Sequence, residues 1–430
     1  MQQEPNKTNR WLKWIGGVAV VCLAIVGFWN SINTPPQIDI PRPVMPHPNG
    51  YNYFRRAGAA YVKDTQGVDE ITNGMDVLTE SSFSKHPKKY PLAAKEAWLK
   101  KNAKALQLLR QGLKYQAVYP SLSAYLHTIS DGMEFRALAR ALAVESHAHA
   151  ERGDWNGAVQ SALDDYHFGN QVARGGALEI SSVGGDAQVI GMFELSHLLS
   201  HTNATSAKMT AASLEKMYEQ HYPFYKMMQQ DKWINLDRTL WLMKSPAWRT
   251  HLTQGFRPSV VDYPQIFSIS KQRVISDMMQ SMNAAIENAQ RPYTKQQPVS
   301  PSGDLLTQAL LPDYKFVRWT WARKSTFAVE IMTMYALRAY RLDHGNYPES
   351  LQALVPMYLH TIPIDPFDGI APLHYQLQGK KYLLWSIGPD GVDNHGKPIT
   401  NKVSKYAGTA KHQLLNPSSK GDVVAGINKL

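Results

Sequence analysis

The sequence predicts a mainly α-helical protein with an N-terminal transmembrane helix, a helical domain and a small C-terminal α+β module of one helix plus a β-hairpin. Three observations carry this reading. The run from Ile15 to Trp29 is apolar and uncharged; apolar residues recur with a helical period from Tyr51 to about residue 290; and two short apolar strands follow a long helix near the C-terminus.

At 430 residues with 43% apolar side chains, the chain exceeds one ordinary domain and has enough apolar mass for packed cores. The formal charge of +11 is scattered, and its densest run, Lys85, His86, Lys88 and Lys89, is broken by Pro87. No groove-reading motif accompanies it, so nucleic acid is not expected as a partner. The single cysteine, Cys22, lies inside the apolar run, which excludes an intramolecular disulfide and a thiolate metal site.

The first element is expected to be an uncleaved anchor. Trp11, Trp14 and Trp29 bracket it, Lys7, Arg10 and Lys13 precede it, and no Ala-x-Ala pattern follows. On this reading residues 1–30 are a cytoplasmic start and anchor. The lipid bilayer is the partner of residues 11–29, and the bulk of the chain lies in the periplasm or outside an inner membrane. Residues 31–50, with prolines at 35, 36, 41, 43, 46 and 48, read as an extended linker.

A helical domain is expected over 51–290. Leu92 to Leu113 is strongly amphipathic, and another helix is read from Glu134 to Glu151. Gly153-Asp154-Trp155 forms a joint in which glycine ends one helix and aspartate caps the next, similar to the middle of a tetratricopeptide repeat. No second copy follows at the repeat period, so a single helical hairpin is expected. Further helices are read at about 177–200, 206–220, 223–244 and 264–289, with a break at Gly255-Phe256-Arg257-Pro258. The apolar stripe of Met227, Met228, Trp233, Leu236, Leu240 and Met243 reads as core. The polar, proline-rich stretch within 291–312 is the expected domain boundary, with the module over 313–400 and a polar tail over 401–430.

In the module, a helix ends near His344-Gly345, and strands at Leu373–Leu377 and Tyr382–Ile387 are joined by Gln378-Gly379-Lys380. The segments ALRAYRLDHGNYPESLQALVP (336–356), IPIDPFDG (362–369) and YLLWSIGPDGVD (382–393) follow in that order. In them the sequence resembles the major, G-type pseudopilin of type II secretion, over roughly residues 328–396. The resemblance implies a pseudopilin-like fold and envelope or secretion-system partners. It also implies a calcium loop at Asp390 and Asp393, with Asn394 as a further ligand. A plain Asp-Gly turn explains the same residues. Unlike a pseudopilin, this chain has its apolar helix at the opposite end and lacks the glutamate that follows the processing site, which argues against an ordinary pilus subunit.

Other constellations are weaker. Glu145 and His149 have a zinc-compatible spacing without a third ligand, and Asp164, Asp165 and His167, or Asp231 and Asp237, are carboxylates near one another in sequence. No GxSxG, P-loop, dinucleotide glycine pattern or nucleophilic cysteine is present. The expected function is therefore a non-catalytic scaffold or interaction protein linked to secretion or surface assembly. An envelope enzyme acting on wall or extracellular polymer is the alternative.

Overall fold

A computed structural model describes residues 7–63, 91–120, 125–253, 266, 268–297, 305–399 and 416–428. The basic run at 85–89 and the break at 255–258 lie outside the described residues. In chain order the helices are α1 (Lys7–Asn33), α2 (Gly50–Ala60), α3 (Leu92–Leu113), α4 (Tyr125–Glu151), α5 (Trp155–Val172), α6 (Leu178–Leu198), α7 (Ala204–Glu219), α8 (Phe224–Leu242), α9 (Trp248–Leu252), α10 (Lys271–Ala289), α11 (Leu305–Leu310) and α12 (Tyr314–His344). Strands β1 (His374–Gln378), β2 (Lys381–Ser386) and β3 (Val423–Val424) form one antiparallel sheet in the order β1-β2-β3. The mainly helical class is thus observed, with a sheet of three strands rather than a hairpin of two.

The expected transmembrane anchor is overturned. Among the described residues no helix is long and apolar enough to cross a membrane. Lys13 interrupts the apolar run of the sequence, and the 15 uncharged residues from Ile15 to Trp29 span about 22 Å at 1.5 Å per residue, against a hydrocarbon core of about 30 Å. The single-pass inner-membrane location falls with it.

Local chemistry sets several helix starts, the Asp154 cap read from the sequence among them. Asn49, Asp154, Asn203 and Asp313 each accept a backbone N–H of the following first turn, at 3.0, 2.9, 2.8 and 3.0 Å. Gly345 closes α12 in the left-handed region, with φ +83°, a conformation that a Cβ disfavours. α4 begins nine residues before the expected Glu134. Its first turns hold Thr128, Ser130 and Gly132, weak helix formers by propensity, and a Cβ on Gly132 would sit 3.3 Å from Val183, so close packing on α6 outweighs propensity there.

The chain divides into two compact units: residues 1–41, 235–284 and 299–311, and residues 42–234, 285–298 and 312–430. In the first, Val274, Ile275, Met278 and Met282 of α10 are buried, and Arg249 donates to the carbonyls of Ile266 and Ile269 at 3.0 and 2.7 Å. In the second, the Phe54, Phe135 and Phe168 rings meet edge to face at the centre of α2, α4 and α5. α5 and α6 pack closely through glycines: a Cβ on Gly169 would come within 2.6 Å of the Gln188 nitrogen, and one on Gly191 within 2.6 Å of the Ala162 carbonyl oxygen.

Toward the C-terminus the units change over after residues 284, 298 and 311, the last two within the stretch 291–312. One hydrophobic core joins Ala158, Val189 and Leu195 of α5 and α6 and Leu214 of α7 to Phe327, Tyr335 and Ala339 of α12, and continues into Leu351, Leu373 and Leu384 of the module. α12 therefore serves both regions. The linker over 31–50 is docked at its end, where Asn49 exchanges hydrogen bonds with the backbone of Val118. The tail over 401–430 is not wholly polar surface: Asp422, Val423 and Val424 are buried, and β3 pairs with Trp385 and Ser386 of β2.

Candidate functional site

The hairpin turn at Gly379-Lys380 sets the register His374 to Trp385, and β2 then leads into the loop 388–396. Gly388, Gly391 and Gly396 hold positive φ in this loop, so its backbone winds tightly round the acidic side chains. Asp390 accepts from Val392 N at 3.3 Å and Gly421 N at 3.0 Å. Asp393 accepts from Trp385 Nε1 at 3.0 Å and His395 N at 2.8 Å, and both His374 and His395 stand 3.5 Å from it. Asn394 donates to the Val392 carbonyl at 2.7 Å.

Sequence reasoning missed a third carboxylate. Asp422, brought in by β3, accepts from Asn394 N at 3.1 Å and Gly396 N at 2.7 Å. Burial pushes its carboxyl up, and the fields of Asp393 and Asp390 add to that. The structure thus gathers Asp390, Asp393, Asn394 and Asp422 about one loop. Their contacts are turn-closing hydrogen bonds, and among the described residues no three His, Cys, Asp or Glu side chains are arranged to hold a metal ion. A hydrophobic pair after a glycine, Gly421 to Val424, was the only signal of β3 in the sequence.

Asp365 organises the other half of the module. It is fully buried, and it accepts from Phe367 N at 2.9 Å, Ser386 Oγ at 2.7 Å and Ile387 N at 2.9 Å, which ties the Pro-Asp loop to the end of β2. The module also carries an aromatic face. Tyr347 and Tyr382 meet at 4.7 Å, Tyr375 stacks on Tyr382 at 5.9 Å, Tyr340 lies 4.2 Å from His344, and the Arg341 guanidinium covers Tyr347 at 4.9 Å. Tyr340, Tyr347, Tyr375 and Tyr382 are half-buried, and Arg341 and His344 are exposed.

The helical constellations do not come together as sequence spacing suggested. Glu145 pairs with Arg110 and accepts from Ser161 Oγ, whereas His149 turns to the capping Asp154 at 2.7 Å, so the two share no ligand position. Asp164 pairs with Arg110 at 2.7 Å, and His167 contacts Gln171 at 3.1 Å. Asp231 accepts from Leu178 N at 3.0 Å, and Asp237 belongs to the other compact unit. Asp165 is fully buried, with neither carboxylate oxygen hydrogen-bonded. Burial raises its carboxyl well above the ordinary range, with Glu194 and Asp164 adding to the rise. Glu194 in turn pairs with His147 at 2.8 Å. Burial lowers the His147 imidazole, and the Glu194 carboxylate outweighs it and leaves it raised.

No family model, no curated protein and no solved structure matches this chain.

Proposed function

We propose that the protein is a non-catalytic scaffold or interaction protein that presents a pseudopilin-like module, within a secretion or surface-assembly system. The observation that carries this is the integration of the module. α12 runs from the helical core into the Tyr340, Tyr347, Tyr375 and Tyr382 face, so the face is held on a rigid support. Tyrosines over an apolar body with polar tips suit protein recognition, because they bury area at little conformational cost. The carboxylates that an enzyme would use in the helical domain are spent on Arg110, as in Glu145 and Asp164, or buried, as in Asp165.

A photo-crosslinking residue at His344 or Gln376, compared in cells with one at the exposed Lys104 of α3, tests this. Protein adducts from the module positions and none from α3 are expected. Equal labelling from all three would sink the reading.

Calcium binding at Asp390, Asp393 and Asn394 is the second part of the proposal, and the observation favouring it is Asp422. A third carboxylate facing the loop raises its negative charge toward what a weak calcium site requires. Calcium is expected to raise the melting temperature, and Asp390→Ala, Asp393→Ala or Asp422→Ala to abolish the rise. An unchanged melting curve in calcium would leave the loop as a structural turn.

A further inference from the structure

Around the last turn of α12 stand two cations, each laid on a tyrosine ring. The Arg341 guanidinium lies 4.9 Å from the Tyr347 ring and donates from Nη1 to its hydroxyl at 3.2 Å. Lys208, from α7, holds its ammonium 5.5 Å from the Tyr358 ring, and Tyr358 is itself buried and fixed by a 2.8 Å hydrogen bond to Asp343. Tyr340, next to Arg341 in the helix, joins the two pairs: its ring is 5.5 Å from Tyr358 and 4.2 Å from His344.

Residues 340–358 and 378–382, together with Lys208, bring four cations, Lys208, Arg341, Lys380 and Lys381, against two carboxylates, Asp343 and Glu349. Asp343 is taken by the Tyr358 hydroxyl. Among the described residues none of the four cations lies within ion-pair distance of a carboxylate. The rings that carry Arg341 and Lys208 restrict these long side chains before any ligand arrives, so the two charges are preorganised. The surface beside them is apolar. Met209, Leu342 and Met357, each next in the chain to Lys208, Arg341 or Tyr358, are 66%, 45% and 62% exposed. A bare polyanion neutralises the cations and leaves these side chains in water, whereas a peptide with acidic and apolar side chains answers both.

We propose, on the reading of the module as an interaction surface, that this face binds an acidic peptide segment of a partner protein. Carboxylates of the segment meet Arg341 and Lys208, and its apolar side chains cover Tyr340, Tyr347 and the exposed Met209, Leu342 and Met357. Arg341 offers a planar fork of donors that matches a carboxylate, and Lys208 a point charge. The charges fix the orientation of the segment and speed its encounter, and the tyrosine rings supply the area it buries.

The test is selection of a displayed library of random peptides on the full chain, followed by fluorescence-anisotropy titration of a recovered peptide. Recovered sequences in which Asp and Glu are enriched among apolar residues are expected, with an affinity that falls as salt rises. Arg341→Gln and Lys208→Gln each weaken the recovered peptide about threefold, as exposed ion pairs imply, whereas Lys104→Gln on α3 leaves its affinity unchanged. No recovered peptide, peptides without acidic enrichment, or peptides indifferent to both module substitutions would overturn the acidic segment. Heparin or phosphatidylserine vesicles that bind through the same two residues more tightly than the peptide would also overturn it, in favour of a bare polyanion or a membrane surface. Protein crosslinks from His344 or Gln376 beside a failed selection remove the acidic segment alone; loss of both removes the interaction reading with it.

Discussion

Asp165 in the helical core and Asp365 in the module are both fully buried, yet one has no hydrogen-bond donor and the other accepts three. The difference lies in where backbone N–H groups are spent. Inside a helix every amide past the first turn is bonded to a carbonyl four residues earlier, so a carboxylate between α5 and α6 finds none to accept from. In a loop the amides are free, and Asp365 collects those of Phe367 and Ile387 and becomes the knot of the module. A buried acid in a loop therefore builds structure, and one between helices, left without donors, holds its proton.

The largest expected effect tests the knot. Asp365→Ala leaves three buried donors unpaired at about 1–3 kcal/mol each, and relaxation recovers part of this, so denaturant unfolding should show a loss of about 3–5 kcal/mol. A loss no larger than that of an ordinary surface change would mean that the loop finds other acceptors.

Asp165→Asn sharpens the other side of the comparison. The folded-state pKa of Asp165 is raised, so the stability its neutral form contributes is present at acid pH and declines as pH rises above the ordinary aspartate value of about 4 toward the raised one. Removing the titration should stabilise the chain by at least about 1–2 kcal/mol at pH 8, on the order of 1–3 °C in melting temperature, and change it little at pH 3.5, below the ordinary value. A gain at pH 3.5 as large as that at pH 8 would refute the assignment.

The smallest effect concerns an exposed loop carboxylate, the Asp154 cap of α5. Its pKa is lowered, first by the Gly157 N–H and then by His149, so its stabilisation is present at neutral pH and lost as pH falls below the ordinary value through the lowered one. Asp154→Ala should cost about 0.5 kcal/mol at pH 7 and nothing near pH 2, as read from paired melting curves. A cost that persists in acid would point to packing of the Trp155–His201 stack rather than to the cap.

Much of the fold was legible because the signals were local. Leu92 to Leu113 was readable as a helix to the residue, since its amphipathic period is unbroken. Gly345 was readable as the end of α12, since only a residue without a Cβ takes φ +83° easily. The candidate loop was legible in part: Asp390, Asp393 and Asn394 lie in one contiguous stretch, whereas Asp422 reaches them from 26 residues beyond Gly396 through a two-residue strand. The anchor reading failed because it gave the flanking tryptophans and the one-sided charge more weight than the shortness of the uncharged run from Ile15 to Trp29.

By itself the sequence determined the helical class, the Asp154 cap and the hairpin at Gly379-Lys380, because each depends on neighbours within a turn or two of chain. Tertiary structure alone decided that α12 belongs to both the helical core and the module, that Asp422 closes the loop, and that Arg136 and Lys324 share one carboxylate, Asp186. Those arrangements join residues far apart in the chain, and which charges end up sharing a buried space is set by how helices pack rather than by any pattern along them.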